Sequence, residues 1–250
     1  MVAQLQIEKL TEREQHANIL VYGEAGVGKT TFASTAPRPI LWLESEGGTA
    51  SIADKEGIDI ARVTGLETYR EALQFLTANP DQYKTVVLDS FTETQAAILK
   101  EIMDNVVRGD ANRDIFTPQF GEWGRLTGVM REIARGFRDL PMHTVITALQ
   151  REDTDELTGR VKVRPRLSPA LADELPGFMD AVGYLYSKGD IVDVKALKDG
   201  EETPAIERVM LLRQTAKHAA KLRAPKGSNP PDFLVNAEFE DLAALLDITL

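Results

Sequence analysis

The sequence predicts an α/β fold, with a mostly parallel central sheet flanked by helices and a C-terminal antiparallel hairpin extension. Two observations carry that prediction. Short apolar, β-branched runs at 17–22, 40–43, 58–63, 85–88 and 144–149 are separated by stretches with helical spacing, the alternation of a parallel sheet with right-handed crossovers. Several of these runs are apolar at every position rather than every second one, as strands covered on both faces are.

Taken in order, 17–22 is a strand that ends at a glycine loop, and 29–36 is a helix stopped before Pro37. The strand 40–43 runs into Glu44-Ser45-Glu46-Gly47-Gly48, 58–63 follows as a third strand, and 67–78 is a helix before Pro80. Asp89 ends the strand 85–88, an amphipathic helix covers 93–107, and a polar loop at 108–117 leads to a long helix at 119–140. After the strand 144–149 comes a polar segment, 150–166, then strands at 181–186 and 207–212 with a turn at Lys188-Gly189-Asp190. A last helix, 239–246, is expected to pack back on the sheet after the Pro- and Gly-containing linker 226–231. The expected organisation is one core domain over 1–250, with 1–16 as an N-terminal extension and 226–250 as linker and helix.

Composition narrows the chemistry. A chain of 250 residues, 43% hydrophobic and 27% charged, can bury a sizeable core. No apolar stretch reaches the roughly 18 residues of a membrane span, and Gln4, Glu8 and Lys9 interrupt the N-terminus, so a cytoplasmic protein without a membrane partner is expected. There is no cysteine, and His16, His143 and His218 have no ligand spacing, which excludes disulfides, thiolate metal sites and cysteine nucleophiles. The net charge of −10 excludes a nucleic-acid footprint over the whole surface. Any such contact must be local, and the basic residues cluster at Arg160, Lys162, Arg164 and Arg166, and from Arg208 through Arg213, Lys217, Lys221 and Arg223 to Lys226.

The sharpest motif is Gly23-Glu24-Ala25-Gly26-Val27-Gly28-Lys29-Thr30, which satisfies Gly-x-x-x-x-Gly-Lys-Ser/Thr between a strand and a helix. Its glycines let backbone N–H groups converge on phosphate oxygens, Lys29 is expected to reach the β- and γ-phosphates of ATP, Thr30 to ligate Mg²⁺, and Thr31 to complete the cradle. Asp89, at the carboxyl end of its strand, is the expected partner of the Mg²⁺, against the alternative of a helix N-cap. Glu46, just past the second strand, is placed to accept a proton from attacking water, and Glu44 competes for the role.

In their order along the chain, the P-loop, Leu43-Glu44-Ser45-Glu46-Gly47, the strand ending at Asp89 and the strand ending at Gln150 resemble the short, core-only RecA-like nucleotide-binding proteins of bacteriophages. The resemblance extends loosely to Gly121 and Gly124, Pro165-Arg166-Leu167, 180–184 and Lys221-Leu222-Arg223. It implies a RecA-like P-loop ATPase in which Glu46 is the hydrolytic glutamate, with Glu44 where the family usually has aspartate. Gln150 is then the strand-end γ-phosphate sensor, and Lys221 and Arg223 act across a subunit interface in a ring or filament. The implied partner is single-stranded DNA, held by 108–117 and 150–166, with a single-strand-binding protein left open as a further partner. Phe116, Phe120 and Trp123 are candidates for base stacking, although aromatic residues beside an amphipathic helix usually belong to a core. The expected function is a DNA-stimulated recombinase or annealing ATPase. A nucleotide-dependent assembly switch without nucleic acid and a helicase-like motor are the alternatives.

Overall fold

Runs of apolar residues too short for helices become the centre of a sheet in the computed structural model, which describes residues 15–156, 158–188 and 207–250. In chain order its elements are β1 (Asn18–Gly23), α1 (Lys29–Ala33), β2 (Ile40–Glu44), β3 (Ile58–Arg62), α2 (Leu66–Ala78), β4 (Thr85–Asp89), α3 (Phe91–Gly109) and α4 (Phe120–Arg138). They continue with β5 (His143–Thr154), β6 (Val161–Pro165), α5 (Pro169–Phe178), β7 (Ala181–Lys188), β8 (Glu207–Leu211), β9 (Lys221–Leu222), β10 (Phe233–Val235) and α6 (Phe239–Leu245). The strand order is β10-β8-β7-β1-β5-β4-β2-β3. Every pairing from β7 to β3 is parallel, while β8, β9 and β10 join antiparallel. This is the mostly parallel, helix-flanked sheet with antiparallel C-terminal strands that the alternating pattern predicts.

Period-2 alternation sorts each strand between two apolar layers. Leu20 and Tyr22 of β1 face one layer, with Tyr69 of α2, Phe91 and Ile98 of α3, Met130 and Phe137 of α4, and Leu171 and Leu175 of α5. Ile19 and Val21 face the other, with Phe32 and Ala33 of α1 and Phe239 and Leu242 of α6. Because α6 is one of the two covers of that second layer, the C-terminal segment packs back on the sheet as expected. It also contributes β10, which pairs with β8 through Phe233, Leu234 and Val235.

The register fixes what matters for chemistry. Gly23 pairs with Leu149, and Glu44 pairs with Asp89. The glycine loop, the turn carrying Glu46, Asp89 and Gln150 therefore all emerge at one edge of the sheet, the carboxyl ends of its parallel strands.

Three local expectations are corrected. The polar segment 150–166, a candidate DNA-holding loop with an exposed hairpin as the alternative, is a hairpin: β5 continues to Thr154 and pairs with β6, from Gln150 with Pro165 to Thr154 with Val161, standing off the carboxyl edge. The charged residues of β5 beyond Gln150 dominate the segment, while its apolar face, Val161, Val163 and Pro165, lies on β6 alone. The helix α5 was not expected; Ser168 precedes it, Pro169 opens it, and Pro176 is accommodated near its end. The helix α1 ends at Ala33 rather than residue 36, where Ser34 Oγ donates to Thr31 O at 2.7 Å. The predicted turn at Lys188-Gly189-Asp190 falls mostly outside the described residues.

Candidate functional site

The glycine loop is built by its neighbours. A Cβ on Gly23 would sit 2.1 Å from Leu185 O of β7, so only glycine lets β1 and β7 lie side by side at this point. Gly28 has φ +98°, in the left-handed region that favours glycine, where the loop turns into α1. Between them Val27 is buried in the α1 layer and pins the loop, leaving Glu24, Ala25 and Gly26 exposed.

Lys29 is 8% exposed, and its Nζ donates to Gly23 O at 3.3 Å and Glu24 O at 2.6 Å. Burial pushes its ammonium below the usual lysine range, while Asp89 and Glu46 pull it back. A buried ammonium held only by two carbonyls of its own loop is suited to an anion placed within the loop. Thr30 Oγ1 donates to Asp89 Oδ2 at 2.9 Å, and Thr147 Oγ1 donates to Asp89 Oδ1. Burial raises the Asp89 carboxyl above its usual range; the two threonine hydroxyls lower it, Glu46 raises it, and Lys29 lowers it. A hydroxyl beside a largely buried carboxylate is a donor set that fits Mg²⁺. Thr31, the third residue of α1, is partly buried.

Glu46 and Glu44 part company. Glu46 Oε1 accepts from Ser90 Oγ, the residue next to Asp89, whereas Glu44 Oε1 accepts from Thr49 Oγ1 at 2.7 Å within its own turn. Ser45 ties this turn to the end of β4, its N donating to Asp89 O at 3.0 Å and its Oγ to Ser90 O at 3.0 Å. The exposed Glu46 thus stands close enough to Lys29 and Asp89 to influence both charges.

Gln150, one residue beyond the Gly23–Leu149 pairing, donates from Nε2 to Glu24 Oε1 at 3.3 Å, and its Oε1 is buried without a partner. It is also the first residue of the β5–β6 hairpin, so one side chain touches both the loop and the hairpin. Among these groups, Ser45, Ser90 and Thr147 were missed in the sequence. Thr147 was detectable as the polar residue inside the apolar run 144–149, but Ser45 and Ser90 resemble ordinary turn and cap residues.

Lys221 and Arg223 are not brought to this chain's own site. Lys221 pairs with Val182 near the start of β7, and its Nζ donates to Pro176 O and Met179 O, each at 2.8 Å. Arg223 Nη1 lies 2.9 Å from Asp180 Oδ1, and Asp180 Oδ2 also accepts from Asn18 N at 3.0 Å. Both cations therefore sit at the amino edge of the sheet. The five steps from Asn18 to Gly23 put them about 16 Å from the glycine loop. The physical reason is that β9 adds antiparallel to the first residues of β7 rather than its last.

The segments expected to hold DNA are distinct in character. In the hairpin, Arg151 and Arg164 both pair with Asp153, Arg164 also with Asp173, and Lys217 with Glu152, whereas Arg160, Lys162 and Arg166 make no ion pair among the described residues. Phe116 and Phe120 are 89% and 94% exposed and Trp123 40%, so the core reading of these aromatic residues fails. Asp114 accepts from Phe116 N and from Thr117 Oγ1, and Glu122 accepts from Gln119 N and pairs with Arg113, an arrangement that orders the loop while leaving both rings outside. One turn on, Thr127 contacts Ser168 at 3.1 Å beside the end of the hairpin, which puts this aromatic end of α4 on the carboxyl-edge side.

Among the described residues, no helix is long and apolar enough to cross a membrane, and no group of three His, Cys, Asp or Glu side chains could hold a metal ion. Residues 15–224 match the family model described as an AAA domain. No curated protein matches the chain.

Proposed function

The chain belongs to this AAA-domain family of P-loop ATPases, and from that premise we propose that it hydrolyses Mg·ATP and uses the bound nucleotide to switch its hold on single-stranded DNA, as a RecA-like recombinase or annealing protein of phage type. The observation that carries the proposal is the convergence at one sheet edge of Lys29, the Thr30–Asp89 pair, the Ser90–Glu46 pair and Gln150.

The loop glycines and Lys29 bind the phosphates, and Lys29 exchanges its two carbonyl partners for phosphate oxygens. Thr30 and Asp89 would hold the Mg²⁺, which would supply neutralisation of phosphate charge. Glu46 accepts the proton of the attacking water, with Ser90 bonded to Oε1 of its carboxylate. Gln150, released from Glu24, gives the hairpin a contact that depends on the state of the site. Single-stranded DNA fits the same side of the molecule, through stacking on Phe116 and Phe120 and phosphate contacts with Arg160, Lys162 and Arg166. Lys221 and Arg223, if they serve a neighbour's site in a ring or filament, must first leave their partners at the amino edge.

The second reading, a nucleotide-dependent assembly switch without nucleic acid, draws on the net charge of −10 and on the ion pairs that neutralise Arg151 and Arg164. ATP turnover measured with and without single-stranded DNA, at low and moderate salt, separates the two. Stimulation that weakens with salt supports the recombinase; turnover indifferent to DNA, with no retention of single strands at low salt, selects the switch. Lys29→Ala is the site control, and normal hydrolysis by that variant defeats the site assignment.

A further inference from the structure

A cation that no motif announces lies on the outer side of the glycine loop. In β8, Met210 faces the α1 layer, and Arg208, two residues earlier, points to the same face. Because β8 runs antiparallel to β7, with Arg208 paired to Ser187, this position falls at the carboxyl edge. Its side chain reaches the loop: a Cβ on Gly28 would lie 2.8 Å from Arg208 Cδ and 3.0 Å from Nη1. Arg208 is partly buried as a residue, and its guanidinium has no carboxylate partner among the described residues.

The backbone under it is clamped from both sides. Arg208 N donates to Asn236 Oδ1 at 3.1 Å, and Asn236 N donates back to Arg208 O at 2.6 Å. Asn236 has φ +49°, a conformation asparagine tolerates better than other side-chain-bearing residues, so the edge next to β10 is shaped to fix this position. An arginine with a fixed backbone, lying against a phosphate-binding loop and facing no acid, has the geometry of a fork aimed at an anion.

We propose that Arg208 is a nucleotide-binding residue of this chain's own site, its guanidinium contacting the α- or β-phosphate next to Gly28. The proposal rests on the nucleotide reading above and adds a contact supplied in cis, from a strand more than 170 residues after the loop. The phosphates concerned are common to ATP and ADP, since the P-loop backbone cradles the α- and β-phosphates while Lys29 reaches towards the γ-phosphate.

The test is the dissociation constant of the full chain for Mg·ATP and Mg·ADP by titration calorimetry, for wild type, Arg208→Ala, Arg208→Lys and Lys29→Ala, with the nucleotide-free thermal midpoint of each. Expected for Arg208→Ala is a loss of about tenfold to a hundredfold for both nucleotides, with the midpoint unchanged, and a smaller loss for Arg208→Lys, which keeps the charge but not the fork. Affinity equal to wild type in Arg208→Ala, a loss confined to ATP, or a loss that follows a lowered midpoint in both Arg208 variants overturns the proposal. Binding by wild type that Lys29→Ala abolishes and Arg208→Ala preserves sinks this inference alone. No nucleotide binding by wild type sinks the underlying reading as well.

Discussion

At the residue scale, the carboxylate of Asp89 is set by opposing influences. Burial raises it, and the hydroxyls of Thr147 and Thr30 counter that by stabilising the charged form. Thr147→Val keeps the shape of the side chain and removes one donor, so the Asp89 carboxyl should rise further. On the proposed role of Asp89 beside Mg²⁺, which requires its ionised form, the acid limb of the pH–rate profile should move to higher pH in this variant, with little change above neutrality. An unchanged limb would show that Thr147 does not support the carboxylate. Glu46 makes a different prediction, because it is exposed and bonded to Ser90 rather than to the loop. Glu46→Gln should bind ATP with near-normal affinity and turn it over about 10² to 10⁴ times more slowly. Calorimetry beside single-turnover hydrolysis separates the two effects, and full turnover by Glu46→Gln would move the role to another group.

At the scale of elements, the β5–β6 hairpin and the start of α4 stand on the side of the sheet that carries the glycine loop, and Gln150 belongs to both hairpin and site. Phe116 and Phe120 carry almost no packing, so replacing both with Ala should leave the unfolding midpoint unchanged. The same double variant should weaken retention of single-stranded oligonucleotides by about 1 to 3 kcal/mol per stacked base. Fluorescence anisotropy with a labelled oligonucleotide checks it; undiminished binding would turn attention to the hairpin cations. The ion pairs of Arg151 and Arg164 with Asp153 hold the hairpin's shape rather than offer charge to a ligand. In the sequence Arg164 looked equivalent to Arg160 and Lys162, because charge pairing across a hairpin depends on a register that one-dimensional spacing does not show.

Across the whole molecule, the carboxyl edge of the sheet gathers Lys29, Asp89, Glu46 and Gln150, while the amino edge is held by buried packing. His143 sits at the amino edge, where its Nδ1 accepts from Ala17 N at 3.0 Å and its ring meets His16 at 5.5 Å and Phe239 of α6 at 5.2 Å. Burial, with repulsion from His16 and Lys84, lowers it to about 4 from an ordinary 6.5. The folded state thus prefers the neutral ring. The stability this confers is present above pH 6.5 and is lost as pH falls towards 4, by about 3 kcal/mol at most. Urea unfolding over that window should show a steeper acid loss for wild type than for His143→Gln, and parallel curves would remove His143 from the account.

The sequence by itself determined the alternating sheet, the glycine loop with Lys29 and Thr30, and the strand-end position of Asp89. All of these follow from contiguous patterns: apolar periodicity, or eight residues whose backbone must wrap a phosphate. Tertiary structure alone decided that the side chain of Glu46, and not that of Glu44, bonds to Ser90 beside Asp89, that 150–166 is a paired hairpin, and that Phe116 and Phe120 face solvent. It also took Lys221 and Arg223 to the far edge and brought Arg208 against Gly28. Each of these depends on which strand lies beside which and in what direction. A basic run along the chain carries no record of that, because antiparallel addition to the first or the last residues of β7 sends the same lysines and arginines to opposite ends of the molecule.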